Sequence, residues 1–174
     1  SDLFAGLSAL GSHPAATARL MDECGLKRGA RVIDLGCGKG AVAIELARRM
    51  ACRVEGIDGY GPFLEAAAIR AERYGVNDRC RFRRSDLRII QPKKFDAAVL
   101  LGVMPLREGA AFARAWVRRG GLYVIDDAVL GIEPRTREER KRIERAGVSG
   151  CLTRDRAAQE LRTIGDVVVR VWLP

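Results

Sequence analysis

A single histidine, His13, in 174 residues leaves little material for the histidine–carboxylate or cysteine–histidine constellations of nucleophilic catalysis. His13 stands just before a helical stretch and reads as a residue that caps or packs against it. The five cysteines (Cys24, Cys37, Cys52, Cys80 and Cys151) are odd in number and scattered, and no C-x-x-C pair suggests zinc or a redox centre. They read as small buried thiols in a reducing cytosol, so a cytoplasmic location is expected. No apolar stretch is long enough to span a bilayer, and no membrane partner is expected. The first residues lack the basic-then-apolar order of a secretion signal. Acidic charge is also in short supply. Thirty-one Lys and Arg face 22 Asp and Glu, a net charge of +9, which makes a polyanionic partner such as RNA possible.

The length suits one domain with a sizeable core, and 48% hydrophobic residues exclude a disordered chain. The organising stretch is Val32-Ile33-Asp34-Leu35-Gly36-Cys37-Gly38-Lys39-Gly40. A short apolar run ending in an acid reads as a buried strand, and Ala43, Leu46, Ala47 and Met50 behind it repeat at helical spacing. Between them lies a glycine turn, where the backbone can take positive φ and approach a ligand closely. The helix behind it begins with unpaired N–H groups that would face that ligand.

The alternation continues. A helix with Pro14 near its first turn, Ser12 as N-cap and Gly25 as its stop precedes the motif. Strand 31–35 and helix 40–50 are followed by strand 53–58, helix 62–74, a strand at 80–84, the clear strand 95–101, a helix over 106–118 and strand 122–126 after the Gly120-Gly121 turn. Residues 133–145 read as a solvated helix, 154–163 as another and 166–172 as a last strand. The expected fold is α/β, a mostly parallel doubly wound sheet with helices on both faces. A single domain over 1–174 is expected: an apolar flap and helix over 1–29, a ligand-binding core over 30–127 and C-terminal helices with the last strand over 128–174.

Asp34 stands two residues before the first glycine, giving Asp-x-Gly-x-Gly-x-Gly. This resembles the first motif of the class I (Rossmann-like) S-adenosylmethionine-dependent methyltransferases. Asp58 and Asp86, after the second and third strands, fall where that family has its further acids. The resemblance covers about residues 30–127 and implies S-adenosylmethionine as cofactor, with S-adenosylhomocysteine as product. It places Asp34, Gly36, Cys37, Gly38 and Gly40 around the methionine portion and ribose. Asp58 would accept hydrogen bonds from the ribose hydroxyls, beside Gly59 and Tyr60; Tyr60 either packs against the adenosine or belongs to the core. Asp86 would accept from the adenine amino group, with the Leu87 N–H toward a ring nitrogen. Gly102 and Met104, after the fourth strand, would border the methionine moiety and the methyl acceptor. Asp126 and Asp127, after the fifth, would receive a cationic substrate group, act as a base, or cap the next segment. Two carboxylates alone make a poor metal site, and no metal is expected. No catalytic residue is assigned, because methyl transfer from a sulfonium needs alignment more than acid–base groups.

Two departures from the family pattern matter. One strand, 166–172, stands where the family closes its sheet with two, so the sheet reads as shortened at its C-terminal strands. Leu101-Gly102-Val103-Met104-Pro105 replaces the Asn/Asp-Pro-Pro-Tyr/Phe of many enzymes that methylate base amino groups. A small-molecule acceptor is therefore expected, with RNA or a ribosomal component as the alternative. Gly36-x-Gly38-x-x-Ala41 also fits the relaxed dinucleotide fingerprint. A NAD(P)-dependent oxidoreductase would keep Gly36, Gly38 and Asp58 but give Asp34 and Asp86 no role. A non-catalytic S-adenosylmethionine-binding module is the third reading.

Overall fold

The computed structural model describes residues 13–126, 136–138, 141 and 154–163. The chain divides into two compact units, Ser1–Ile125 and Asp126–Pro174. The first carries α1 (Pro14–Glu23), β1 (Arg31–Leu35), α2 (Ala41–Met50), β2 (Arg53–Asp58), α3 (Gly61–Arg73), β3 (Cys80–Arg84), β4 (Phe95–Leu100), α4 (Leu106–Trp116) and β5 (Val117–Ile125). In the second unit residues 137, 138 and 141 are helical, and α5 spans Arg154–Thr163. The expected strand over 166–172, the flap of residues 1–12 with Ser12, and Asp127 lie outside the described residues.

The five strands form one parallel sheet in the order β3-β2-β1-β4-β5. Right-handed crossovers dictate where the helices go. From β1 the chain steps outward to β2 and β3, which puts α2 and α3 on one face. From β4 it steps the other way to β5, which puts α4 on the opposite face. Side-chain alternation matches this arrangement. Val32, Val54, Ala97 and Val99 pack with Met21 of α1 and Leu46 and Met50 of α2. Ile33, Leu35, Ile57, Ala98 and Leu100 pack with Ala113 and Trp116 of α4. β1 and β4 are hydrogen-bonded neighbours whose onward connections diverge, and ligands bind above the strand ends at such a point.

Several boundaries differ from the sequence reading, most by a single residue. Helix α1 has His13, not Ser12, at its N-cap position, and its side chain makes no capping hydrogen bond. Helix α4 stops at Trp116 rather than 118, and β5 begins at Val117 rather than 122. The Lys94 ammonium donates to the Ala115 carbonyl at 2.7 Å, which satisfies the helix end. Val117 then pairs with Phe95, while Leu122 pairs with Ala97. Arg118 to Gly121 bulge out of the ladder, and Gly120 supplies the turn with φ +74. Gly121 must lack a side chain, because a Cβ there would stand 2.8 Å from the Asp96 carbonyl oxygen.

Candidate functional site

Asp34, Asp58 and Asp86 line one cleft of about 1120 Å³ at the carboxyl ends of β1, β2 and β3. Gly36, Cys37, Gly38, Gly59, Leu87, Gly102 and Met104 line it as well. Gly40 and Tyr60 do not. Gly40 is the N-cap of α2, and the Tyr60 ring lies edge-on to Phe63 with centroids 4.8 Å apart. Asp126 belongs to the second unit and is exposed.

Asp34 is the buried charge of the site, 4% exposed. Burial pushes its carboxyl up to about 7, against a downward pull from the Ala43 backbone N–H and a further upward push from Asp58. Ala43 is the third residue of α2, whose own N-cap, Gly40, has no side chain to offer. The strand residue therefore does the capping, at the positive end of the helix dipole. Its Oδ2 is buried with no hydrogen-bond partner. An orphaned carboxylate oxygen on a cleft wall calls for a donor from a ligand.

Asp58 ties the loops together. Its Oδ2 accepts from the Gly38 N–H at 2.9 Å and its Oδ1 from the Tyr60 N–H at 2.8 Å. A carboxylate has about four lone-pair positions, so each oxygen keeps one for a ligand. The glycine turn is equally committed. The Gly36 and Cys37 N–H groups both donate to the Ile57 carbonyl at 2.8 and 3.0 Å, and Gly40 N–H donates to Cys37 at 2.9 Å. These four N–H groups belong to the turn; Ala41 and Val42, at the helix start whose N–H groups the sequence pointed to, line the cleft.

The glycines themselves are required for a reason the sequence did not reveal. A Cβ on Gly36 would lie 2.4 Å from Val103 Cγ2, and one on Gly40 would lie 2.8 Å from the Phe82 ring and 2.9 Å from the Ala67 Cβ. Neighbouring side chains, not only a ligand, fill the space. Cys37 is buried, and burial, then Asp34 and Asp58, push its thiol far up. It stays protonated and is no nucleophile.

Asp86 is already engaged. The Arg88 guanidinium chelates both of its oxygens, with Nε at 3.0 and 3.1 Å and Nη2 at 2.5 Å, and the Arg88 N–H donates to Oδ1 at 2.9 Å. These bonds hold the carboxyl down at about 2. Arg88, Arg84, Lys39, Ile89 and Val103 line the cleft as well. Arg84 Nε donates to the Gly59 carbonyl at 3.1 Å, and the Lys39 ammonium stands over the Phe63 ring, 5.7 Å from its centroid. Only their place near strand ends signalled them. Leu101, Val103 and Met104, after β4, give the cleft an apolar wall.

Comparison with known proteins fits this geometry. Residues 32–121 match the methyltransferase domain family. The ribosomal protein L11 methyltransferase of Tolumonas auensis is 34% identical over 120 residues, 66% of this chain and 40% of its own length. The ubiquinone biosynthesis O-methyltransferase of Neisseria meningitidis is 39% identical over 92 residues, 51% of this chain and 38% of its own. The chain thus spans about two fifths of the curated relatives it matches. A SAM-dependent methyltransferase from Thiobacillus denitrificans, solved with S-adenosylhomocysteine, superposes with a TM-score of 0.81 at 24% identity, over 95% of this chain and 69% of that one, a likeness of fold. One from Geobacter sulfurreducens, also with S-adenosylhomocysteine, gives 0.76 at 25% identity, over 92% and 69%. With the match covering more than half its residues, the chain belongs to the methyltransferase domain family, of the class I, Rossmann-like kind.

Proposed function

We propose that this chain is the donor-binding part of a methyltransferase that uses S-adenosylmethionine and releases S-adenosylhomocysteine. The observation that carries the reading is the convergence of Asp34, Asp58 and Asp86 on one cleft at the strand tips. Such a cleft suits a ligand with ammonium, hydroxyl and amino donors. The residues fit the donor. Asp34 Oδ2 lacks a partner and would meet the ammonium, directly or through water. Asp58 would take the ribose hydroxyls on its remaining lone pairs, and Asp86 the adenine amino group once Arg88 yields. When bound, the donor supplies a methyl group on a sulfonium leaving group, so the chain's task is alignment and exclusion of water.

The acceptor we read as a small molecule. The cleft's apolar wall at Leu101, Val103 and Met104 lies where an acceptor would meet the methyl group. A second reading, RNA or a ribosomal component, is favoured by exposed arginines on the sheet and by the relative that methylates a ribosomal protein. A reducing, cytoplasmic setting accords with the free thiols of Cys24, Cys37, Cys52 and Cys80. Among the described residues no helix is long and apolar enough to cross a membrane.

Calorimetry with S-adenosylhomocysteine and NAD tests the donor. S-adenosylhomocysteine is expected to bind and NAD is not. Asp58→Ala should weaken S-adenosylhomocysteine by about 2–3 kcal/mol, the scale of a lost charge-assisted contact. Binding of NAD alone, or an unchanged affinity in the variant, overturns the assignment.

A further inference from the structure

The sheet face opposite α2 and α3 carries arginines on three adjacent strands. Alternation puts Arg31 of β1, Arg53 of β2, and Arg81 and Arg83 of β3 on the same side as the buried Ile33 and Ile57. Arg79 extends the row at the start of β3, where its carbonyl accepts from the Val54 N–H at 2.8 Å. Helix α4, on this same face, packs over β4 and β5, away from β3. Arg31, Arg53, Arg81 and Arg83 are exposed.

This arrangement works against the fold's own stability. Arg31 and Arg53 are direct register partners on neighbouring strands, and like charges directly opposite destabilise a sheet. Compensation is partial: the Arg31 guanidinium lies over the Phe95 ring, 5.2 Å from its centroid, with Asp96 nearby and shared with Arg118, while Glu55 meets Arg83 at 3.3 Å and Asp78 meets Arg79 at 3.7 Å. A positive array maintained against its own repulsion is complementary to a polyanion. Residues two apart on a strand repeat every ~6.6 Å and neighbouring strands lie ~4.8 Å apart, a regular grid of planar guanidinium forks suited to repeated phosphates.

We infer that this arginine face of β1–β3 docks single-stranded RNA through its phosphates. The claim goes beyond the donor reading and does not depend on it. It is tested by fluorescence anisotropy with a labelled single-stranded RNA of about 20 nucleotides, titrated with salt, where about four net phosphate contacts predict a log–log slope near −3 and roughly a 50-fold loss between 50 and 200 mM. The double variant R53A/R81A removes two exposed arginines and should bring the slope to about −1.5, by about 0.7 per lost contact. Calorimetry with S-adenosylhomocysteine checks that the variant's fold and cleft are intact, and circular dichroism does so if that ligand does not bind. Absence of RNA binding at 50 mM salt, or a slope unchanged in a folded R53A/R81A, overturns the inference. So does equal binding of polyglutamate, which would point to an acidic protein instead.

Discussion

Asp34 gives the proposed site a pH signature. In the free protein burial holds its carboxyl near 7. A cationic ammonium brought to its orphaned Oδ2 favours the ionised form, so binding at lower pH must expel a proton. With a free-state value of about 7 and an ionised bound state, the apparent Kd should be about thirtyfold weaker at pH 5.5 than at pH 8, and binding at pH 6 should release about 0.9 proton. Calorimetry of S-adenosylhomocysteine in buffers of differing ionisation enthalpy reads both. Asp34→Asn keeps the shape and removes the titrating group, so its affinity should be weak and nearly independent of pH. Stability carries the same signature with a definite sign. The unfolded carboxyl loses its proton near 3.8 while the folded one keeps it to about 7, so this group costs stability progressively as pH rises between those values. The full cost is about 4 kcal/mol at 1.36 kcal/mol per unit. Asp34→Asn should accordingly raise the melting temperature at pH 8 more than at pH 4.5. A Kd that changes less than threefold across the range, or a pH dependence that survives in the variant, refutes the placement of Asp34 beside a cationic ligand group.

Two further outcomes follow from the backbone. Gly40→Ala forces a Cβ against Phe82 and Ala67 at a residue with φ +71; overpacking and the left-handed backbone together should cost about 2–4 kcal/mol in chemical denaturation, and a loss below 1 kcal/mol would show that α3 shifts freely. Ala51, the C-cap of α2, is the one non-glycine residue with positive φ among the described residues, at +54. Ala51→Gly should stabilise by about 0.5–1 kcal/mol, and destabilisation in urea titration would refute the strain argument.

Much of this protein was legible along the chain because the signals are local. Strand β1, the glycine turn and helix α2 follow from an apolar run, positive-φ glycines and a 3.6-residue repeat within some twenty positions. The order of strands and helices, and with it the parallel sheet, follows from alternation and the handedness of crossovers. The acids at the three strand tips were identifiable because a strand's end is identifiable. The start of β5 was not, because the pairing of Val117 with Phe95 and the Lys94 bond to the Ala115 carbonyl join segments that sequence periodicity treats separately.

What the tertiary structure alone decided is who meets whom. No local pattern says that Val103 occupies the space beside Gly36, that Ile57 and Asp58 take the turn's N–H groups, or that Arg88 closes on Asp86. Nor does it say that Arg31 and Arg53 stand abreast. Periodicity records which side of an element a residue faces; the register between elements depends on packing summed over the whole core, and the charge of Asp34 depends on how much water that packing removes.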